Sequence, residues 1–167
     1  MAKKDLLVIE MNNKEDMECF NFREKLKIAQ KPYDYFKEIE NLNFDQLASS
    51  DRIFLQDFGI YNNELNDEEF MLRLRFPAGR ISNNSLLLIS NLAQKYNLQI
   101  ILTARAGIQL HGLDSNNILE VFNQINSQNI SSYQSFGDNI RNITSDIFDG
   151  IGVYNIIEVF PYIEQMQ

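Results

Sequence analysis

A chain of 167 residues with 44% apolar content can bury the core of one domain with an appended arm, while a formal net charge of −8 and a pI near 4.6 oppose a partner presenting a phosphate backbone. No apolar run approaches the length of a bilayer span, and the start MAKKDLLVIEMNNKEDM holds no apolar core of signal-peptide length, so the expected location is the cytoplasm, without a membrane. Cys19 is the only cysteine, which excludes an internal disulfide framework and an all-cysteine metal site within these residues.

In chain order, the first expected element is a helix from Lys14 to about Lys31, with Met17, Phe20, Leu26 and Ala29 at helical spacing and Pro32 ending it. A second short helix is expected over Tyr33 to Leu42. A third runs from Asn43 as N-cap to Gly59 as C-terminal stop, before IYNN. Residues 1–54 thus read as a helical N-terminal arm. From there the periodicity changes. FMLRLRF (70–76) alternates as a strand and is broken by Pro77, Ala78 and Gly79. A helix is expected over 82–96, then one long strand in LQIILTARAGIQLHGL (98–113), then a helix over 115–128. SSYQSFGDNIRNITSD reads as part strand and part loop, and DGIGVYNIIEVFPYIEQMQ as the start of a last helix. The sum is an α+β fold, a ferredoxin-like split sheet with helices on one face, preceded by the helical arm.

Counting by twos along that strand puts Leu102, Ala104, Ala106, Ile108 and Leu110 on one side and Thr103, Arg105, Gly107, Gln109 and His111 on the other. The apolar side, with Leu72 and Leu74, is expected to pack on the helices. Arg73 and Arg75 then join the polar side. Charge is distributed accordingly: residues 1–69 carry 9 Lys and Arg against 16 Asp and Glu, whereas residues 70–150 carry 6 against 5. Arg73, Arg75, Arg105 and Arg141 fall in short segments flanked by apolar residues, which points to a local anion site. Three guanidiniums, an amide and an imidazole on one surface call for an anionic, planar or multidentate partner, and Gly107 would let something flat approach the backbone.

Each piece has a plainer reading. Two arginines in an alternating strand are usually a solvated face, a lone histidine is more often structural than a ligand, and Cys19 beside Phe20 and Phe22 reads as packing. GDNIRN alone could be a turn capped by its Asp and Asn. Convergence of the arginine-bearing segments on one surface is what the plainer readings leave unexplained.

FMLRLRFPAGRIS, LTARAGIQLHGL and GDNIRNIT, in this order and at these separations, resemble the N-terminal ferredoxin-like half domain of siroheme-dependent nitrite and sulfite reductases. The resemblance covers roughly residues 55–150, with Ala78 where the family usually has glycine, a change expected to preserve the bend. It implies a half domain over 55–130 and, from 131 to 167, the truncated start of the siroheme and iron–sulfur domain. It also implies siroheme held between two related halves, a 4Fe–4S cluster in the complete enzyme, and six-electron reduction of sulfite, the first expectation, or nitrite. Residue by residue, Arg75 and Arg141 resemble the anion-binding, catalytic arginines. Thr103, Arg105, Gln109, His111, Arg73 and Asn142 resemble groups that contact siroheme, chiefly its carboxylates.

The resemblance further implies an electron-donor protein and the remaining half domain as partners. The cluster cysteines and paired lysines of such reductases have no counterparts here: no cysteine follows Cys19, and Lys95, on a helix facing solvent, is the last lysine. The expectation is therefore an N-terminal portion of a larger reductase, or a module that borrows the remainder from another chain, inactive by itself. The alternative is a non-catalytic anion- or cofactor-binding module on the same basic face. RNA binding is disfavoured, because the central strands lack the aromatic pairs of the RNA-recognition pattern.

Overall fold

A computed structural model describes residues 55–63, 66–133, 135 and 142–166. The chain divides into two units, Met1–Phe54 and Leu55–Gln167, and every described residue belongs to the second. The expected helices of the arm, Cys19, Arg141 and the rest of GDNIR lie outside the described residues.

A helical turn over residues 55–57 stops at Gly59, whose φ of +79° suits glycine and whose carbonyl accepts from Arg73 N at 2.8 Å. Strand β1 (Ile60–Asn63) follows, then β2 (Asn66–Leu74), a 3-10 turn (Pro77–Gly79), helix α1 (Asn83–Tyr96), β3 (Gln99–Leu102), β4 (Ile108–Leu113), helix α2 (Ile118–Ser127) and helix α3 (Phe160–Met166). The four strands form one antiparallel sheet in the order β1-β2-β4-β3. Both expected internal helices form. Ser82 Oγ accepts from Ser85 N at 3.0 Å to start α1, and Asn97, left-handed at φ 54°, ends it.

The alternation read from FMLRLRF holds. Leu72 pairs with Leu110 and Leu74 with Ile108 on one face, and all four are buried with α2 packed on β2. Ile89 and Leu92 of α1, and Ile118, Val121 and Ile125 of α2, complete this core, with Phe122 edge-on to Phe58 at 6.3 Å. Each fully buried leucine or isoleucine contributes ~2 kcal/mol of transfer free energy.

Several expectations are corrected. Residues 98–113 form a hairpin, not one strand. Thr103 N donates to Gly107 O at 2.9 Å, Gly107 N donates to Thr103 Oγ1 at 3.1 Å, and Ala106 turns left-handed at φ 55°. An antiparallel pair hides in a continuous apolar run because this turn uses Thr, Ala and Gly rather than an Asn-Gly signal. The strand–helix–strand–helix–strand order consequently becomes strand–helix–hairpin–helix. Leu102, assigned to the core, is 77% exposed because it ends the edge strand β3. Among the described residues, the strand expected near residue 131 shows one bridge, between Arg75 and Ser131, and the last helix begins only at Phe160.

The turn after β2 keeps its bend with Ala78 left-handed at φ 54°. Lys95 is exposed on α1, as expected, and pairs with Glu120 at 2.8 Å. Among the described residues no helix is long and apolar enough to cross a membrane.

Candidate anion and cofactor site

The end of β2 and the β3–β4 turn enclose a cleft of about 210 Å³ lined by Arg73, Leu74, Arg75, Thr103, Ala104, Arg105, Gly107, Ser135 and Asn142. Strand alternation turns Arg73 and Arg75 away from the helices, because Leu72 and Leu74 take the core positions between and beside them. Thr103 and Arg105 reach the same cleft from the turn rather than from a strand face.

Arg75 is the buried charge of this cleft, at 9% exposure. Its backbone N donates to Ser131 O at 2.7 Å, while among the described residues its guanidinium makes one long hydrogen bond, Nη1 to Tyr133 O at 3.5 Å. Burial lowers the guanidinium's pKa from its ordinary value, as desolvation of a cation must. Among the described residues no carboxylate pairs with it. A buried guanidinium with five donors and one long bond is suited to an oxyanion, which would offset the desolvation.

Around it, Arg105 is exposed on the turn, and its carbonyl accepts from Asn142 Nδ2 at 2.9 Å, which ties residue 142 to the hairpin. The Thr103 hydroxyl is half-buried and accepts from Gly107 N, leaving its own proton for another acceptor. Gly107 has a reason other than ligand approach: a Cβ there would stand 2.9 Å from Leu74 O and 3.3 Å from Thr103 Oγ1, so its bareness lets the hairpin close on β2. Gln109 and His111 lie further along β4, opposite Arg73 and Met71. His111 lines a second cleft of about 180 Å³ with Tyr61, Glu69, Phe70 and Met71.

The expected set therefore divides. Arg73, Arg75, Thr103, Arg105 and Asn142 gather at the first cleft, and Gln109 and His111 continue along the same sheet face toward the second. Arg141 lies outside the described residues.

Sequence reasoning missed Ser135, whose Oγ lies 2.7 Å from Ser132 O and 2.9 Å from Arg73 O at the cleft wall, and the Tyr133 carbonyl that meets Arg75. No sequence signal marks a backbone carbonyl. It also missed Arg80, which pairs with Asp149 at 3.4 Å and Glu158 at 3.1 Å and lies 4.1 Å over the Phe160 ring. Asp149 in turn accepts from Val159 N and Phe160 N at 2.8 and 2.9 Å and caps α3.

At about 210 Å³ the first cleft falls below the ~300 Å³ at which pockets begin to enclose drug-sized ligands. It admits a small oxyanion or a carboxylate at the edge of a larger ligand. The body of such a ligand would lie along the open face toward His111. The donor set fits a flat polycarboxylate such as siroheme: fixed arginine forks at one end, hydroxyl, amide and imidazole along its length.

A four-stranded antiparallel sheet with helices on one face and this cationic cleft on the other defines a ferredoxin-like fold. The solved structure of the Mycobacterium tuberculosis NirA protein has the same fold, with a TM-score of 0.76 at 20% identity over 87% of this chain and 31% of that one. Residues 63–128 match the nitrite/sulfite reductase ferredoxin-like half domain. Among relatives, the ferredoxin–nitrite reductase of Synechococcus elongatus is 28% identical over 90% of this chain and 30% of its own length. The sulfite reductase [NADPH] hemoprotein beta-component of a Paenibacillus species is 33% identical over 54% of this chain and 17% of its own. The chain thus spans less than a third of the relatives it matches.

Proposed function

We propose that this chain supplies one cationic wall of a siroheme-dependent nitrite or sulfite reductase, holding cofactor carboxylates and the oxyanion substrate. The observation that carries the reading is Arg75, a buried guanidinium facing a cleft with one long hydrogen bond and no carboxylate among the described residues. Siroheme, when bound, would supply the six-electron reduction chemistry. The chain's own residues bind and orient. Arg75, with Arg141 as its expected companion, polarises the substrate's oxygens and stabilises charge as they leave. Arg105, the Thr103 hydroxyl, Asn142 and His111 serve the cofactor's carboxylates directly, and Arg73 and Gln109 serve them through His111.

Nitrite reductases align over 86–90% of this chain, which supports nitrite over the sulfite expected first. Residues 55–130 are the half domain in this proposal, and 131–167 lead toward the cofactor domain. The cluster cysteines would come from outside these 167 residues, which hold Cys19 alone. A donor protein and the second half domain are the partners implied, and the isolated chain is expected to be folded, colourless and inactive.

Titrating the chain with siroheme tests this reading. Saturable change in the visible spectrum, weakened at least tenfold by Arg105→Met, is the expected result, whereas Arg75→Met should leave siroheme bound and lower the affinity for nitrite or sulfite. Binding of small carboxylates or phosphate with no response to siroheme would replace it with the non-catalytic anion module. Reduction of nitrite or sulfite by the purified chain unaided would also overturn it.

A further inference from the structure

Three polar side chains of the outer sheet face are linked to one another. Arg73 on β2 stands opposite Gln109 on β4, and His111 follows two residues later on the same face. His111 Nε2 lies 3.1 Å from the Gln109 amide. That amide has two orientations related by a half-turn. With its NH2 toward Arg73, donors face donors. With its oxygen toward Arg73, Oε1 accepts from Arg73 Nε at 3.1 Å and from Nη2, and the amide NH2 donates to His111 Nε2 at 3.1 Å. Arginine carries donors only and keeps its charge, so it selects the second orientation.

We infer that Arg73 is a positioning residue, which acts through Gln109 to hold His111 in the neutral tautomer protonated at Nδ1. Nε2 is occupied as an acceptor. Nδ1–H, which has no partner among the described residues, is then the donor this face presents to a ligand. Arg73 differs in this from Arg75: its guanidinium is engaged by the sheet itself, whereas among the described residues that of Arg75 has the long bond to Tyr133 alone. A carboxylate-bearing ligand would be met by a hydrogen-bond donor of fixed direction instead of an imidazole free to exchange tautomers. That consequence rests on the siroheme reading above; the tautomer does not.

His111 is the only histidine, so a long-range ¹H–¹⁵N spectrum of the ¹⁵N-labelled chain reports it without overlap. Recorded above the ordinary histidine range, the wild-type chain is expected to show the pattern of Nδ1–H. Gln109→Glu replaces the donor with a carboxylate that can only accept, so the pattern should reverse to Nε2–H. Arg73→Met releases the amide and should give an averaged pattern of both tautomers. The backbone amide spectrum reports folding of each variant. An Nε2–H pattern in the wild type, or an unchanged Nδ1–H pattern in folded Gln109→Glu or Arg73→Met, would overturn the inference. Should Gln109→Glu not fold, the wild-type and Arg73→Met spectra decide. A failed siroheme titration with these patterns intact would overturn the cofactor reading alone.

Discussion

Strands β2 and β4 at the centre of the sheet and β3 at its edge are built from the same kind of sequence, yet they end in opposite environments. Leu72 and Leu110 are fully buried, whereas Ile100, Ile101 and Leu102 are 42%, 37% and 77% exposed. Leu102 even pairs with buried Ile108. Alternation assigns a side chain to a face, but position in the sheet decides whether anything covers that face. An exposed apolar edge such as β3 is also one that another strand could extend.

The comparison breaks most visibly at its centre. Leu110→Ala is expected to cost about 2–5 kcal/mol, read as a lowered denaturant midpoint with the slope unchanged. Gly107→Ala, at the junction of edge and centre, should cost ~1–3 kcal/mol, since its Cβ would press on Leu74 O. It should also weaken siroheme binding, because the turn that carries Thr103 and Arg105 must shift. A near-neutral result in thermal melting would show that the hairpin yields more easily than its contacts imply. The turns beyond β2 and β3 each hold an alanine left-handed, Ala78 at φ 54° and Ala106 at φ 55°. Ala78→Gly should stabilise the chain by ~0.5–1 kcal/mol, relief of backbone strain exceeding the entropy that glycine adds to the unfolded chain. The smallest effect is at the edge: Leu102→Thr should change stability by less than ~0.5 kcal/mol, and a larger loss would mean that the edge is covered.

Part of the lining of the first cleft is legible in the sequence. The alternation of Arg73 and Arg75 with Leu72 and Leu74 places both arginines on the outer face, and the structure gathers them with Thr103, Arg105 and Asn142 around one cleft. The route by which Thr103 and Arg105 arrive there was not legible. Read as part of one strand, they would stand in line with Gln109 and His111; the turn instead swings them to the end of β2. Its chemistry is local and quiet, a threonine hydroxyl and a left-handed alanine in place of an Asn-Gly pair.

By itself the sequence determined which residues are cationic, that helices form over about 82–96 and 115–128, and which face of β2 and β4 is apolar, because these follow from side-chain chemistry and from periods of two and 3.6 residues. Tertiary structure alone decided that Arg75 is buried and Arg105 exposed, that Gly107 lies against Leu74 O, and that Arg73 meets Gln109. Those outcomes depend on strand order and on the placement of Ser131, Tyr133 and Ser135 beside β2. Contacts between segments distant in sequence leave no periodic trace in either one.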